Sequence, residues 1–155
     1  MRVNKKKFIY LISPNKIYKK FFKDLKIVLE TRKICFFQLR LKKYSLKHKI
    51  LIGRKIKKVC RDNKVKFIIN DDPWLAKKLD ADGCHLGQKD MSINEARKVI
   101  KNKVIGITCH NSIKLAKSAI KSNASYLAFG AFNSTKTKKI KFHASTRTLK
   151  KINKL

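Results

Sequence analysis

Gln38, Arg40 and Lys42 stand at every second position of Cys35-Phe36-Phe37-Gln38-Leu39-Arg40-Leu41-Lys42. Alternation puts them on one side of a strand. An amide, a guanidinium and an ammonium on one side suit phosphate oxygens, which accept hydrogen bonds and carry negative charge. A solvated basic edge is the competing description, but Phe36, Phe37 and Leu39 around Arg40 make its burial costly without an anion. Asp71 and Asp90 follow as hard oxygen donors. Carboxylates of this kind, with phosphate oxygens and water, are how Mg²⁺ is usually held. A lone Asp is otherwise a helix N-cap, and Asp72 before Pro73 fits that role. Thr135, Thr137 and Lys138 could cradle a second phosphate through hydroxyls, loop amides and an ammonium, although Ser/Thr/Lys loops are common.

The chain of 155 residues carries 41 Lys and Arg against 9 Asp and Glu, a net charge of +32. Only seven of the cations are Arg, the side chain suited to bidentate phosphate and base contacts. The lysines are spread along the whole chain, as a compositional bias would spread them, so nucleic acid is not the expected partner. The acids are more telling. Five of the nine (Asp71, Asp72, Asp80, Asp82, Asp90) fall within twenty residues, and chemistry is expected there. Cys35, Cys60, Cys84 and Cys109 lack metal-ligand spacing, and adjacent strand residues such as Cys84-His85 point to opposite faces. Apolar runs are far shorter than the roughly 20 residues of a membrane span. The basic start is followed by neither a long apolar run nor a small-residue cleavage site, so a cytoplasmic protein is expected.

Positioning these residues requires elements. Apolar, β-rich runs at 8–13, 35–41, 66–70, 83–86, 104–108 and 126–132 alternate with helical patterns at 18–30, 46–61, 94–100, 112–122 and 144–152. Pro73 opens a further short helix ending near Asp80. Strands buried on both faces and alternating with helices predict a parallel sheet with right-handed crossovers, in one α/β domain over 1–155. No GxGxxG follows the first strand. Polar residues gather instead at the C-terminal ends of several strands: Gln38, Arg40 and Lys42; Asn70 and Asp71; His85 and the 87–90 loop; Thr108; and the 135–138 loop. That convergence predicts a (β/α)8 barrel of the TIM type, with six of its eight units visible.

The same residues resemble a known family. Gln38-Leu39-Arg40-Leu41-Lys42 is similar to the QLREK motif of the thiamine phosphate synthase/TenI family. Ile69-Asn70-Asp71 and 81–90 (ADGCHLGQKD) resemble its IND and ADGVHLGQED. Gly106-Ile107-Thr108-Cys109-His110 and Phe129-Gly130-Ala131-Phe132 with Thr135-Lys136-Thr137-Lys138 resemble its GVS-H and GPIF-T-TK. The resemblance covers nearly the whole chain. It implies a TIM barrel that joins an aminopyrimidine, carried as its diphosphate, to a thiazole phosphate. The products would be thiamine monophosphate and pyrophosphate. Carried over, Gln38, Arg40, Lys42, Asn70 and Lys138 would hold the pyrimidine diphosphate, and Asp71 and Asp90 would bind Mg²⁺. Thr135 and Thr137 would approach the thiazole phosphate, and Leu39, Leu41, Thr108 and Lys136 would complete the substrate-binding positions. Arg40, Lys42, Thr108 and Lys138 would serve the chemical step.

Leu41 and Lys89 each replace a family glutamate, Ala131 a proline and Thr108 a serine. The family also carries two further strands with a GGI turn, expected to be missing here. A truncated product, a chain completed by self-association through open sheet edges or by a second polypeptide, and a remnant with another role are the three expectations. The TenI branch, a thiazole tautomerase, and a non-catalytic polyanion binder are the alternative functions. The diphosphate-holding residues favour the synthase.

Overall fold

The computed structural model describes residues 8–133 and 143–153. Strands and helices alternate: β1 (Ile9–Ile12), α1 (Phe21–Glu30), β2 (Ile34–Leu39), α2 (Leu46–Asp62), β3 (Lys66–Asn70), α3 (Pro73–Lys78), β4 (Gly83–Leu86), α4 (Ile93–Ile100), β5 (Val104–His110), α5 (Ile113–Lys121), β6 (Tyr126–Phe129) and α6 (Thr146–Ile152). The six strands form one parallel sheet in the order β1-β2-β3-β4-β5-β6. Sequential parallel order needs every crossover to have the same hand, which places the helices on one face. The other face is concave: side chains of the first and sixth strands meet there, with the hydroxyls of Tyr10 and Tyr126 2.7 Å apart. The result is an α/β half-barrel.

The core lies between sheet and helices. Phe37, Leu39, Phe67, Ile69, Cys84, Leu86, Ile105 and Cys109 point to that side and pack on Leu25, Leu29, Ile56, Cys60, Leu75, Ala96 and Ala116. Helix starts are set locally. Ser45, Asp72, Ser92, Ser112 and Ser145 each accept a backbone N–H of the first turn, satisfying a donor without an intrahelical partner. Ser92 and Glu95 complete a capping box.

β1 is one residue shorter than expected at each end, and the C-terminal ends of β2, β5 and β6 also differ from expectation. β2 ends at Leu39, because the Ser13 hydroxyl accepts the Arg40 N–H at 2.9 Å and takes it out of the ladder. β5 runs past Thr108 to His110 through a bulge, in which Thr108 pairs with Ala128 and His110 with Phe129. β6 stops at Phe129, where Gly130 adopts a φ of 154°. A second bulge pairs Ile9 with Ile34 and Tyr10 with Phe36, leaving Cys35 as the extra, exposed residue. Among the described residues, no helix is long and apolar enough to cross a membrane.

Candidate functional site

Parallel strands deliver their C-terminal ends to one edge, and most of the chemistry-bearing residues are found there. Arg40 and Lys42 are not on a strand, contrary to the expected cationic ladder. They lie in the loop after β2, while Gln38 remains within β2, buried on the concave face. The Arg40 guanidinium donates to Asn15 Oδ1 at 3.0 Å, and among the described residues no carboxylate pairs with it. Leu39 and Leu41 are core side chains, 3% and 4% exposed. They reach the site only as the floor of a cleft of about 400 Å³, whose wall also includes Lys42, Lys49, Asn70, Asp71 and Asp72. Lys49, on the first turn of α2, was not expected at the site; nothing in its local sequence separates it from the other lysines.

Asp71 follows the last residue of β3 and has φ 64°, a left-handed conformation unusual for a non-glycine residue. Its backbone N–H donates to His85 O at 2.8 Å, which fixes that turn against β4. Lys42 Nζ lies 2.9 Å from Asp71 Oδ2. Asp90 Oδ2 accepts the Gly87 N–H at 2.7 Å, so the carboxylate folds back over its own loop. A Cβ at Gly87 would lie 2.9 Å from Asp90 Oδ2, so a larger residue there would push the carboxylate aside. The helix caps fall to Asp72 and Ser92, which leaves Asp71 and Asp90 free of capping roles.

The two carboxyls are hydrogen-bonded to each other and titrate in opposite directions. Burial alone would raise Asp71, but the Lys42 ammonium, the bond to Asp90 and Asn70 together hold it below the usual carboxylate range. Partial burial raises Asp90; the Gly87 amide opposes this, and the charge of Asp71 adds to the rise. Among the described residues, no group of three His, Cys, Asp or Glu side chains converges as a metal site. Any cation here would draw its remaining ligands from water and substrate oxygens.

Thr108 lies on the concave face, and its hydroxyl is 2.9 Å from His85 Nε2. His85 Nδ1 is 2.9 Å from the Tyr126 hydroxyl, and Gln38 Nε2 donates to the Tyr10 hydroxyl at 3.0 Å. Burial pushes His85 down to about 4, so its imidazole is neutral at pH 7. Burial also raises both phenols, Tyr126 the more strongly. Asn70, His85, Gly106 and Tyr126 occupy one register row across β3 to β6. Gly106 contributes no side chain to that row, so the Tyr126 ring crosses β5 and stacks on His85 with centroids 5.6 Å apart. Tyr10 and Tyr126 carried no recognisable motif; only their alternation within the strands signalled a shared face.

The acidic cluster divides, which corrects the expectation that the whole segment serves chemistry. Asp80 and Asp82 lie at the N-terminal end of the strands, away from the cleft. Asp80 pairs with Lys57 at 2.8 Å and with Lys103. Asp82 Oδ2 accepts the Phe67 N–H at 2.9 Å and its Oδ1 pairs with Lys66 at 3.0 Å. Cys84 and His85 do point to opposite faces, one into the core and the other onto the concave side. Burial pushes the Cys60 thiol up to about 12 and raises Cys84 further, so neither supplies a thiolate. Thr135, Lys136, Thr137 and Lys138 lie outside the described residues.

Comparison with known proteins bears on this site. Residues 9–155 match the family described as thiamine monophosphate synthase. The thiamine-phosphate synthase of Pelagibacter ubique is 63% identical over 100% of this chain and 76% of its own length. That of Erythrobacter litoralis is 39% identical over 84% of this chain and 62% of its own. The solved structure of a thiamine phosphate pyrophosphorylase from Pyrococcus furiosus superposes with a TM-score of 0.81 at 27% identity. It covers 94% of this chain, which spans 68% of that one. The chain belongs to the thiamine monophosphate synthase family.

Proposed function

We propose that this chain takes part in thiamine biosynthesis as a thiamine phosphate synthase, joining an aminopyrimidine carried as its diphosphate to a thiazole phosphate, with release of pyrophosphate. The observation that carries this reading is the Lys42–Asp71–Asp90 cluster at the strand ends, with Arg40, two positions before Lys42, unpaired with any carboxylate among the described residues. Its six strands are then the first six of an eight-unit barrel. The superposition on the Pyrococcus protein supports that arrangement.

In this mechanism the C–O bond between the pyrimidine methylene and the diphosphate breaks, and both bonding electrons leave with pyrophosphate. The methylene cation is stabilised by the ring amino group. The thiazole nitrogen then supplies the electron pair of the new C–N bond. Arg40, Lys42 and Lys138 stabilise the charge that builds on the leaving group. Gln38, Asn70 and Thr108 orient the pyrimidine diphosphate, and Thr135, Lys136 and Thr137 approach the thiazole phosphate. Capture of the cation needs alignment more than a strong base. Asp71 and Asp90 would hold Mg²⁺, which supplies charge neutralisation on the diphosphate when bound. Two hard carboxylates set against each other beside the Lys42 ammonium fit that role.

The test is an assay of this chain for thiamine phosphate formation with Mg²⁺, alongside calorimetric binding of the pyrimidine diphosphate. Turnover, with Mg²⁺-dependent binding abolished by Asp71→Ala, is expected. Binding without turnover would reduce the chain to a half-site. Polyanion binding that survives both Asp71→Ala and Asp90→Ala would replace the synthase reading with a basic surface.

A further inference from the structure

Five polar side chains on the concave face are joined end to end. Gln38 Nε2 is 3.0 Å from the Tyr10 hydroxyl, which is 2.7 Å from the Tyr126 hydroxyl. That hydroxyl is 2.9 Å from His85 Nδ1, and His85 Nε2 is 2.9 Å from Thr108 Oγ1. The line connects β2, β1, β6, β4 and β5, and it begins and ends on residues assigned above to the substrate. Tyr10, Tyr126 and His85 have no assigned role between them.

The direction of such a line is set at its ends. An amide nitrogen only donates, each phenol has one proton, and each nitrogen of a neutral imidazole is either donor or acceptor. With Gln38 donating to Tyr10, the Tyr10 proton goes to Tyr126 and the Tyr126 proton to His85 Nδ1. His85 Nε2–H then donates to Thr108 Oγ1. In the opposite direction Tyr10 accepts from both Gln38 and Tyr126. Its own proton is then left without an acceptor among the described residues, on a half-buried phenol whose ring packs on those of Phe36 and Tyr126 with centroids 5.5 and 5.6 Å apart.

We propose that this hydrogen-bond line is polarised from Gln38 to Thr108, which fixes His85 as its Nε2–H tautomer and leaves the Thr108 hydroxyl proton free to donate into the site. Tyr10, Tyr126 and His85 are positioning residues: they act through Thr108 and do not touch substrate. A donor at Thr108 matches an ionised diphosphate oxygen, which can only accept. That consequence for catalysis rests on the synthase reading above; the polarity itself does not.

The wild-type full chain, labelled with ¹⁵N, tests the polarity by two-bond proton–nitrogen correlation of the imidazole rings. His85 signals are identified by their loss in His85→Asn. A protonated Nε2 and a bare Nδ1 are expected; a protonated Nδ1 overturns the proposal, whether or not the chain turns over. Tyr126→Phe removes the donor to Nδ1, and a mixture of tautomers is expected there. An unchanged single tautomer would show that Tyr126 does not set it.

In the synthase assay, Tyr126→Phe and Thr108→Val should each lower kcat/KM by about tenfold, the usual effect of one lost hydrogen bond to a charged group. Thr108→Ser should restore most of the rate. The double variant should fall no further than Thr108→Val, because Tyr126 acts through Thr108. Fully additive losses would make Tyr126 a structural residue only. Absence of turnover in the wild type would sink the synthase reading and leave the tautomer measurement to decide this one.

Discussion

Gly106 provides the sharpest test of how the concave face is built. A Cβ at this position would lie 1.9 Å from Tyr126 Cζ and 2.3 Å from both Cε atoms. Carbon atoms in contact sit about 3.5–4.0 Å apart, so in Gly106→Ala the ring must retreat by roughly 1.5 Å. That movement takes the Tyr126 hydroxyl beyond reach of Tyr10 and His85, now at 2.7 and 2.9 Å. Overpacking costs about 1–3 kcal/mol, and each lost hydrogen bond about 1 kcal/mol. Against this, alanine in a strand interior gains about 0.5–1 kcal/mol over glycine. The net expectation is a loss of about 3 kcal/mol. In urea this shifts the unfolding midpoint down by about 1.5 M, taking a slope of about 2 kcal/mol per M. The control is the same substitution in a Tyr126→Ala background. There the clash is gone, and Gly106→Ala should stabilise. A Gly106→Ala protein with an unchanged or higher midpoint would refute the ring position, and with it the route from Tyr126 to His85.

Two further predictions concern stability. Asp82→Ala should cost about 1–3 kcal/mol by thermal unfolding, because it strips the acceptor from the N–H of Phe67, which is 1% exposed. Asp82→Asn keeps an acceptor and should recover most of that, since the exposed pair with Lys66 contributes little. His85 is pushed by burial from 6.5 to about 4, so between those values the unfolded chain binds the proton and the native chain does not. Stability should therefore fall as pH drops from 6.5 towards 4, by about 3 kcal/mol for this group. Denaturant titrations across that window should show a smaller fall in His85→Gln, and equal slopes would contradict the burial of the ring.

The order of strands and helices was legible because the physics that fixes it is local. The apolar run at 66–70 and the four residues at 83–86 appear as β3 and β4 with the expected bounds. Asp72 caps α3 ahead of Pro73, as a short polar side chain before a proline should. The ends of β2, β5 and β6 were less accessible. Ser13 ends β2 from 27 residues away, and a bulge against β6 extends β5. Neither leaves a mark in the segment it changes.

For the site, Gln38, Arg40 and Lys42 were legible as types suited to phosphate oxygens, Asp71 and Asp90 as types suited to a hard cation, and Asn70 and Thr108 only as polar residues at strand ends. Their sorting was not. Asp80 and Asp82 look like Asp71 and Asp90 in sequence, yet they lie at the opposite end of the strands, where their partners are lysines and a backbone N–H.

The sequence by itself determined the alternation of elements, the Asp72 cap of α3 and the residue types at the strand ends, because each depends on neighbours a few positions away. Only the tertiary structure decided which carboxylates face each other and which merely bind lysine. It also decided that Tyr10 and Tyr126, 116 positions apart, meet hydroxyl to hydroxyl. Curvature of the sheet brings them together. That curvature is a property of all six strands paired in register, with a glycine at the one point where a ring must cross.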